Sequence, residues 1–288
     1  MKTNHFFTAF FAVTVMVLLA STFAHADNIY VSSGSGMIEK IDLSGNRSIF
    51  ASGLNWPMGL ASDSSGNLYV ANQQHGTITK LDSSGNRSIF ASGLSWPWGL
   101  AFDSSGNLYV ANNGSDSISK LDSSGNGTVF ASGLDGPAGL AFDSINNLFV
   151  ADGNYTGNRI VKFDSSGNEA VFASEVLGLA GLAFDSSGDL YVAGWYSGTI
   201  TKFDPSGNRS TFASGLNQPM GLAFDSSGYL YVANHESGTI MKFDSSGNGT
   251  IFASGLNGPW FIAVQPIPEP ATLLLLGLGG LAIMRKRR

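Results

Sequence analysis

Residues 97–134 read PWGLAFDSSGNLYVANNGSDSISKLDSSGNGTVFASGL. Four short runs of alternating β-branched, aromatic and small residues stand between Gly/Ser/Asn clusters, which is the signature of strands joined by tight turns. The runs are a, Trp98 to Asp103; b, Asn107 to Asn112; c, Ser117 to Asp122; and d, Gly127 to Ser132. The unit recurs. Gly99-Leu100-Ala101 has copies beginning at Gly59, Gly139, Gly181 and Gly221, in steps of 40, 40, 42 and 40 residues. A period near 40 with four strands per unit predicts a β-propeller built of four-stranded antiparallel blades.

The ends of the repeat array set the blade count. The array starts in mid-unit, with strands b, c and d at Asn28–Val31, Ile38–Asp42 and Ser48–Ala51. It stops after one more strand a, at Pro259–Val264. Five full units lie between. The expected architecture is therefore all-β and six-bladed, with the last blade closed by the N-terminal b, c and d strands and the C-terminal a strand. Such closure removes the free edges of an open array.

Outside the array both termini carry targeting patterns. Residues 1–26 combine Lys2, an apolar run and Ala24-His25-Ala26, which reads as a secretory signal peptide. At the other end stand Pro268-Glu269-Pro270, an apolar segment of 14 residues (Ala271 to Met284) and Arg285-Lys286-Arg287-Arg288. This segment is shorter than the roughly 20 residues of a spanning helix, and the basic end favours the cytoplasmic side. The expected domains are 1–26 signal peptide, 27–264 propeller and 265–288 sorting segment. The C-terminal order closely resembles the PEP-CTERM sorting signal of Gram-negative bacteria. That resemblance implies an exosortase-type processing enzyme as partner, transient membrane insertion, and export to the cell envelope or extracellular matrix of a polysaccharide-producing organism. A membrane tail that remains as an anchor is the alternative.

Composition fits export. There is no cysteine, hence no disulfide or thiol chemistry. Residues 27–267 hold 10 basic and 20 acidic residues, a net charge of −10, which disfavours a nucleic-acid partner.

The pattern Pro-x-Gly-Leu-Ala-Phe-Asp-x-x-Gly-Asn-Leu-Tyr-Val-Ala-Asn…Ile-x-Lys-Phe-Asp resembles the NHL repeat and covers residues 28–264. It is similar also to streptogramin-lyase and gluconolactonase-type propellers. The a–b and c–d turns, on one face, repeat Asp-Ser-Ser-Gly-Asn almost without change and read as Asx-turns rather than calcium loops, since each offers one carboxylate. The once-per-blade lysines read as scaffold side chains. The b–c and d–a connections on the other face differ from blade to blade, which is where binding residues usually sit. There Trp56, Trp96, Tyr155, Trp195, Tyr196 and Gln218 suggest a surface for a glycan or an envelope protein. Packing of the tryptophans between blades is the competing reading.

Two catalytic readings follow from the resemblance. Lactonase-type propellers hold a divalent cation over the central channel with Glu, Asn and Asp, and Asn112, Asp152 and Asn234 at strand b ends partly imitate that set. The competing reading has these side chains capping the loops that follow. A streptogramin-type lyase uses a histidine base and a magnesium ion; His75, His235 and Glu236 on b–c loops are the candidates, against a bystander role for exposed loop histidines. The leading expectation is a non-catalytic binding module. A metal-dependent lyase or lactonase and a purely structural matrix protein are the alternatives.

Overall fold

In the second repeat the alternating runs form strands Pro97–Phe102, Leu108–Asn112, Ser117–Leu121 and Gly127–Ser132. Neighbours pair antiparallel, with Ala101 opposite Tyr109 and Tyr109 opposite Lys120. The structure is a computed structural model and describes residues 27–153 and 158–266. The expected signal peptide, Tyr155, and Pro268, Glu269 and Pro270 with the tail behind them lie outside the described residues. Among those described, six sheets of four strands each form a propeller, and one short 3-10 turn, Asn113–Ser115, interrupts the pattern. The blades are numbered 1 to 5 from the repeat that starts at Pro57. In the sixth, Pro259–Pro266 pairs with Asp27–Ser33, followed by Met37–Ile41 and Arg47–Ala51. The ring is closed as its end strands predict.

Alternation along strand b supplies the seams between blades. Tyr109 sits edge-on between Phe130 of its own blade and Phe142 of the next, each at 5.0 Å between ring centres. Tyr69, Phe149 and Tyr191 repeat the arrangement. Edge-to-face pairs of this kind add about 0.5–1.5 kcal/mol each beyond the area they bury. The blade lysines lie over the same rings, as with Lys120 at 5.3 Å from Tyr109, and Lys80, Lys120 and Lys242 also reach the strand a carboxylates Asp63, Asp103 and Asp225 at 3.6–3.9 Å. On the outer strand every c–d pair carries a register shift, as between Ile118 and Ser119. Bulges there twist an edge that would otherwise be an open template for pairing.

The Gly-Leu-Ala motif is explained at the axis. A Cβ on Gly59, Gly99 or Gly139 would run into the carbonyl oxygen of Trp98, Ala138 or Ala180 on the next blade's innermost strand. Gly181 and Gly221 approach the next strand in the same way, and in the sixth blade Phe261 takes the glycine's place, so the axis is pinched at five glycines. The residue just before each glycine, and before Phe261 in the sixth blade, stands at the channel mouth on the variable face.

Candidate functional site

That mouth position holds Met58, Trp98, Ala138, Ala180, Met220 and Trp260 in blades 1 to 6. Large residues fill one side of the ring and the two alanines leave the other side open. The b–c loops are drawn toward the mouth by hydrogen bonds to the d–a connections. The amides of Gln73, Asn113, Trp195 and His235 donate to the carbonyls of Trp56, Trp96, Gly178 and Gln218 at 2.7–3.2 Å. Trp195 and His235 are thereby carried beside the mouth residues.

The result is an aromatic cluster. His235 lies 4.0 Å from Trp260 between ring centres, tilted by 34°. Trp195 is 5.9 Å from Trp260 and 5.8 Å from His235, and Trp98 meets Trp260 edge-on at 6.4 Å. Tyr196 stands 6.2 Å from Trp195 and is 75% exposed. Next to the cluster, over the two alanines, is a cleft of about 170 Å³ lined by Trp98, Asn113, Ala138, Ala180, Trp195 and Tyr196 among others. Two polar atoms in this region, Trp98 Nε1 and His235 Nδ1, are buried with no hydrogen-bond partner among the described residues. A buried unpaired group of this kind costs about 1–3 kcal/mol.

The other candidates lie elsewhere. Trp56 and Trp96 are 51% and 61% exposed, outside the mouth cluster. Gln218 holds the His235 amide through its backbone, and Glu236 is exposed on the same loop. His75 is exposed, and its Nε2 lies 2.6 Å from Asn55 Nδ2. The two histidines therefore have separate surroundings and form no pair. At the strand b ends only the amide nitrogens bond within their own hairpins: Asn112 Nδ2 donates to Ser119 Oγ at 2.8 Å and Asn234 Nδ2 to Thr239 Oγ1 at 3.4 Å. Asp152 is fully buried. Its Oδ1 accepts from the Asp135 amide at 2.6 Å and its Oδ2 from Arg159 Nε at 2.7 Å. Both oxygens are committed, and no three His, Cys, Asp or Glu residues gather as metal ligands among the described residues. Asp152 is thus held by protein partners, whereas the Oδ1 atoms of Asn72, Asn112 and Asn234 at the other strand b ends are buried with no partner among the described residues.

Trp98 and Trp260 escaped the sequence reading, which saw them only as strand residues. The signal was available: within an almost invariant strand a, the position after proline changes from Met to Trp to Ala.

Comparison with known proteins bears on this frame. Residues 94–121 match the NHL repeat and residues 266–288 match the PEP-CTERM protein-sorting motif. No curated protein sequence matches the chain significantly. Among solved structures, a chain of the nidogen/laminin complex aligns with a TM-score of 0.76 at 20% identity, over 83% of this chain and 98% of that one. A gluconolactonase from Xanthomonas campestris aligns with a TM-score of 0.67 at 18% identity, over 85% and 93%. Streptogramin B lyase aligns with a TM-score of 0.60 at 18% identity, over 80% and 75%. At these identities the likeness is one of fold. The PEP-CTERM match indicates export, exosortase processing and cell-surface sorting in bacteria. The chain is thus a six-bladed β-propeller that carries an NHL repeat and ends in a PEP-CTERM sorting signal.

Proposed function

We propose that the propeller is a non-catalytic carbohydrate-binding module, displayed at the cell envelope or in the extracellular matrix of a Gram-negative bacterium. In this reading residues 1–26 direct export, and the sorting segment inserts transiently in the membrane before an exosortase-type enzyme removes it. The observation that carries the binding role is the aromatic mouth. A sugar ring presents C–H faces to Trp195, Trp98 and Tyr196 and hydroxyls to polar atoms. Asn113 offers an amide and Tyr196 a hydroxyl at the cleft. A cleft of about 170 Å³ suits one sugar residue of a chain rather than a large aglycone.

Among the fold neighbours are two enzymes and one component of a protein complex, so the fold permits lyase, lactonase and protein-partner readings. For lactonase or lyase chemistry the candidate groups are dispersed: His75 is tied to Asn55, His235 is stacked on Trp260, and Asp152 is held by Arg159. Calorimetric titration of residues 27–266 with a panel of neutral oligosaccharides tests the proposal. Saturable binding is expected, and Trp195→Ala weakens it tenfold or more, as loss of a central aromatic anchor does. Metal-stimulated turnover of lactones or of a streptogramin, lost in His235→Ala, would overturn it, as would an envelope protein competing for the mouth with no sugar bound.

A further inference from the structure

Trp56 and Trp96 occupy one slot, the last residue of the d–a connection, in the adjacent blades 1 and 2. Their φ angles are +52° and +49°. A bulky side chain in the left-handed region is an outlier that costs free energy, and the proline that follows each of them restricts the backbone further. Three other blades fill the slot with Gly136, Gly178 and Gly258, at φ of +62°, +69° and +56°, and Gln218 fills the remaining one. Glycine is the residue this backbone asks for. Burial does not explain the exception, because both indoles are more than half exposed.

The surroundings indicate what the indoles face. Asn55 and His75 form a polar pair beside Trp56, at 2.6 Å. Trp96 lies against Gly114 and Ser95: a Cβ on Gly114 would come within 3.1 Å of the indole and 2.9 Å of Ser95 Oγ. The setting is polar rather than the apolar ring expected of a protein–protein core. The two slots are related by the repeat, so they present the same aromatic plate twice, one blade apart. The acidic domain, at −10 for residues 27–267, repels polyanions.

We infer that Trp56 and Trp96 form a second binding site, separate from the mouth, for a neutral polysaccharide whose repeated sugars stack one on each indole. The inference rests on the carbohydrate reading of this face. Each indole alone grips weakly, and the pair gains from engaging one chain twice.

The test uses residues 27–266, which contain the whole closed ring, with soluble laminarin, mannan, dextran and hydroxyethylcellulose as polymers and with their di- and trisaccharides. Retention in affinity electrophoresis and thermal melting are measured for Trp56→Gly, Trp96→Gly, the double variant and Trp195→Ala. Each single glycine variant is expected to lose at least tenfold in affinity for a retained polymer, with a Tm no lower than that of the native protein. The double variant adds little to either loss. Native protein that retains none of the polymers overturns the inference, and so does unchanged retention by the double variant. A fall in Tm of more than about 4 °C in the single variants, equivalent to a structural loss, overturns it too. Short oligosaccharides that still bind and are lost with Trp195→Ala leave the mouth reading standing when the platform fails; absence of any sugar binding removes both.

Discussion

Gly99 has no side chain because the next blade leaves no room for one: a Cβ there would overlap the Ala138 carbonyl oxygen. The contact is with backbone, which cannot swing aside as the end of a side chain can. Gly99→Ala should therefore destabilise the propeller by about 1–3 kcal/mol or more, the cost of overpacking a tight core, and the change should appear as a lower urea midpoint with an unaltered slope. A midpoint within error of the native protein would show that the innermost strands can separate freely. The residue before it tells the opposite story. Trp98, Ala138 and Ala180 stand at one repeat position, and their differences in size shape the mouth.

At the scale of the strand pair, the Asp-Ser-Ser-Gly-Asn turns do more than the Asx-turn read from sequence. Asp122 Oδ1 accepts from the amides of Ser124 and Asn126, both at 2.9 Å, and its Oδ2 accepts from Asn126 Nδ2 at 3.0 Å. The Asn126 side chain, then its amide, hold the Asp122 carboxyl below its usual range. Asp42, Asp82, Asp164, Asp204 and Asp244 are lowered in the same way. Burial pushes Asp103 up, yet its hydrogen bonds from Asn107 and Ser105 outweigh that and lower it. A carboxylate with a depressed folded value contributes stability that is present above its unfolded value and lost as pH falls through the folded one. Tm should thus be level from neutral pH to about 5 and drop steadily below about 4. An Asp122→Asn variant should show a smaller drop, and a native Tm unchanged at low pH would refute the linkage.

The strands themselves were legible, because alternation and turn residues are local: strand a, expected from Trp98 to Asp103, runs Pro97–Phe102. The mouth was not. Whether Trp98 faces a channel or a neighbouring blade depends on how closely six innermost strands approach, and that is a property of the ring. The role of Asp152 was hidden for a similar reason, since its partner Arg159 follows the insertion that makes one repeat 42 residues long.

For the whole molecule, closure falls on the blade with the plainest seams. Tyr30 and Tyr231 each pack on one phenylalanine, Phe50 and Phe252. At the slot where Phe102, Phe142, Phe184 and Phe224 stand in other repeats, the two seams of the sixth blade have Ser62 and Val264. Other contacts compensate. Ser32 Oγ donates to the Met58 carbonyl at 2.7 Å and accepts from the Phe261 amide at 3.0 Å. Asp27 Oδ2 accepts from the amide and hydroxyl of Ser226, both at 2.9 Å, and Arg47 Nη1 donates to the Ser254 carbonyl at 2.6 Å. The C-terminal strand is central to this set: Phe261, Ile262 and Ala263 are buried, and Phe261 and Ala263 share a core cluster with Tyr30, Met58 and Val70. Deleting residues 259–264 removes that strand, unpairs the inner edge of Asp27–Ser33 and exposes apolar surface at both neighbouring seams. The expected outcome is loss of the cooperative melting transition, with unfolding or aggregation on size-exclusion chromatography. A soluble, monomeric truncation that melts like the intact ring would mean that five blades hold without the sixth, and the closure account would fall.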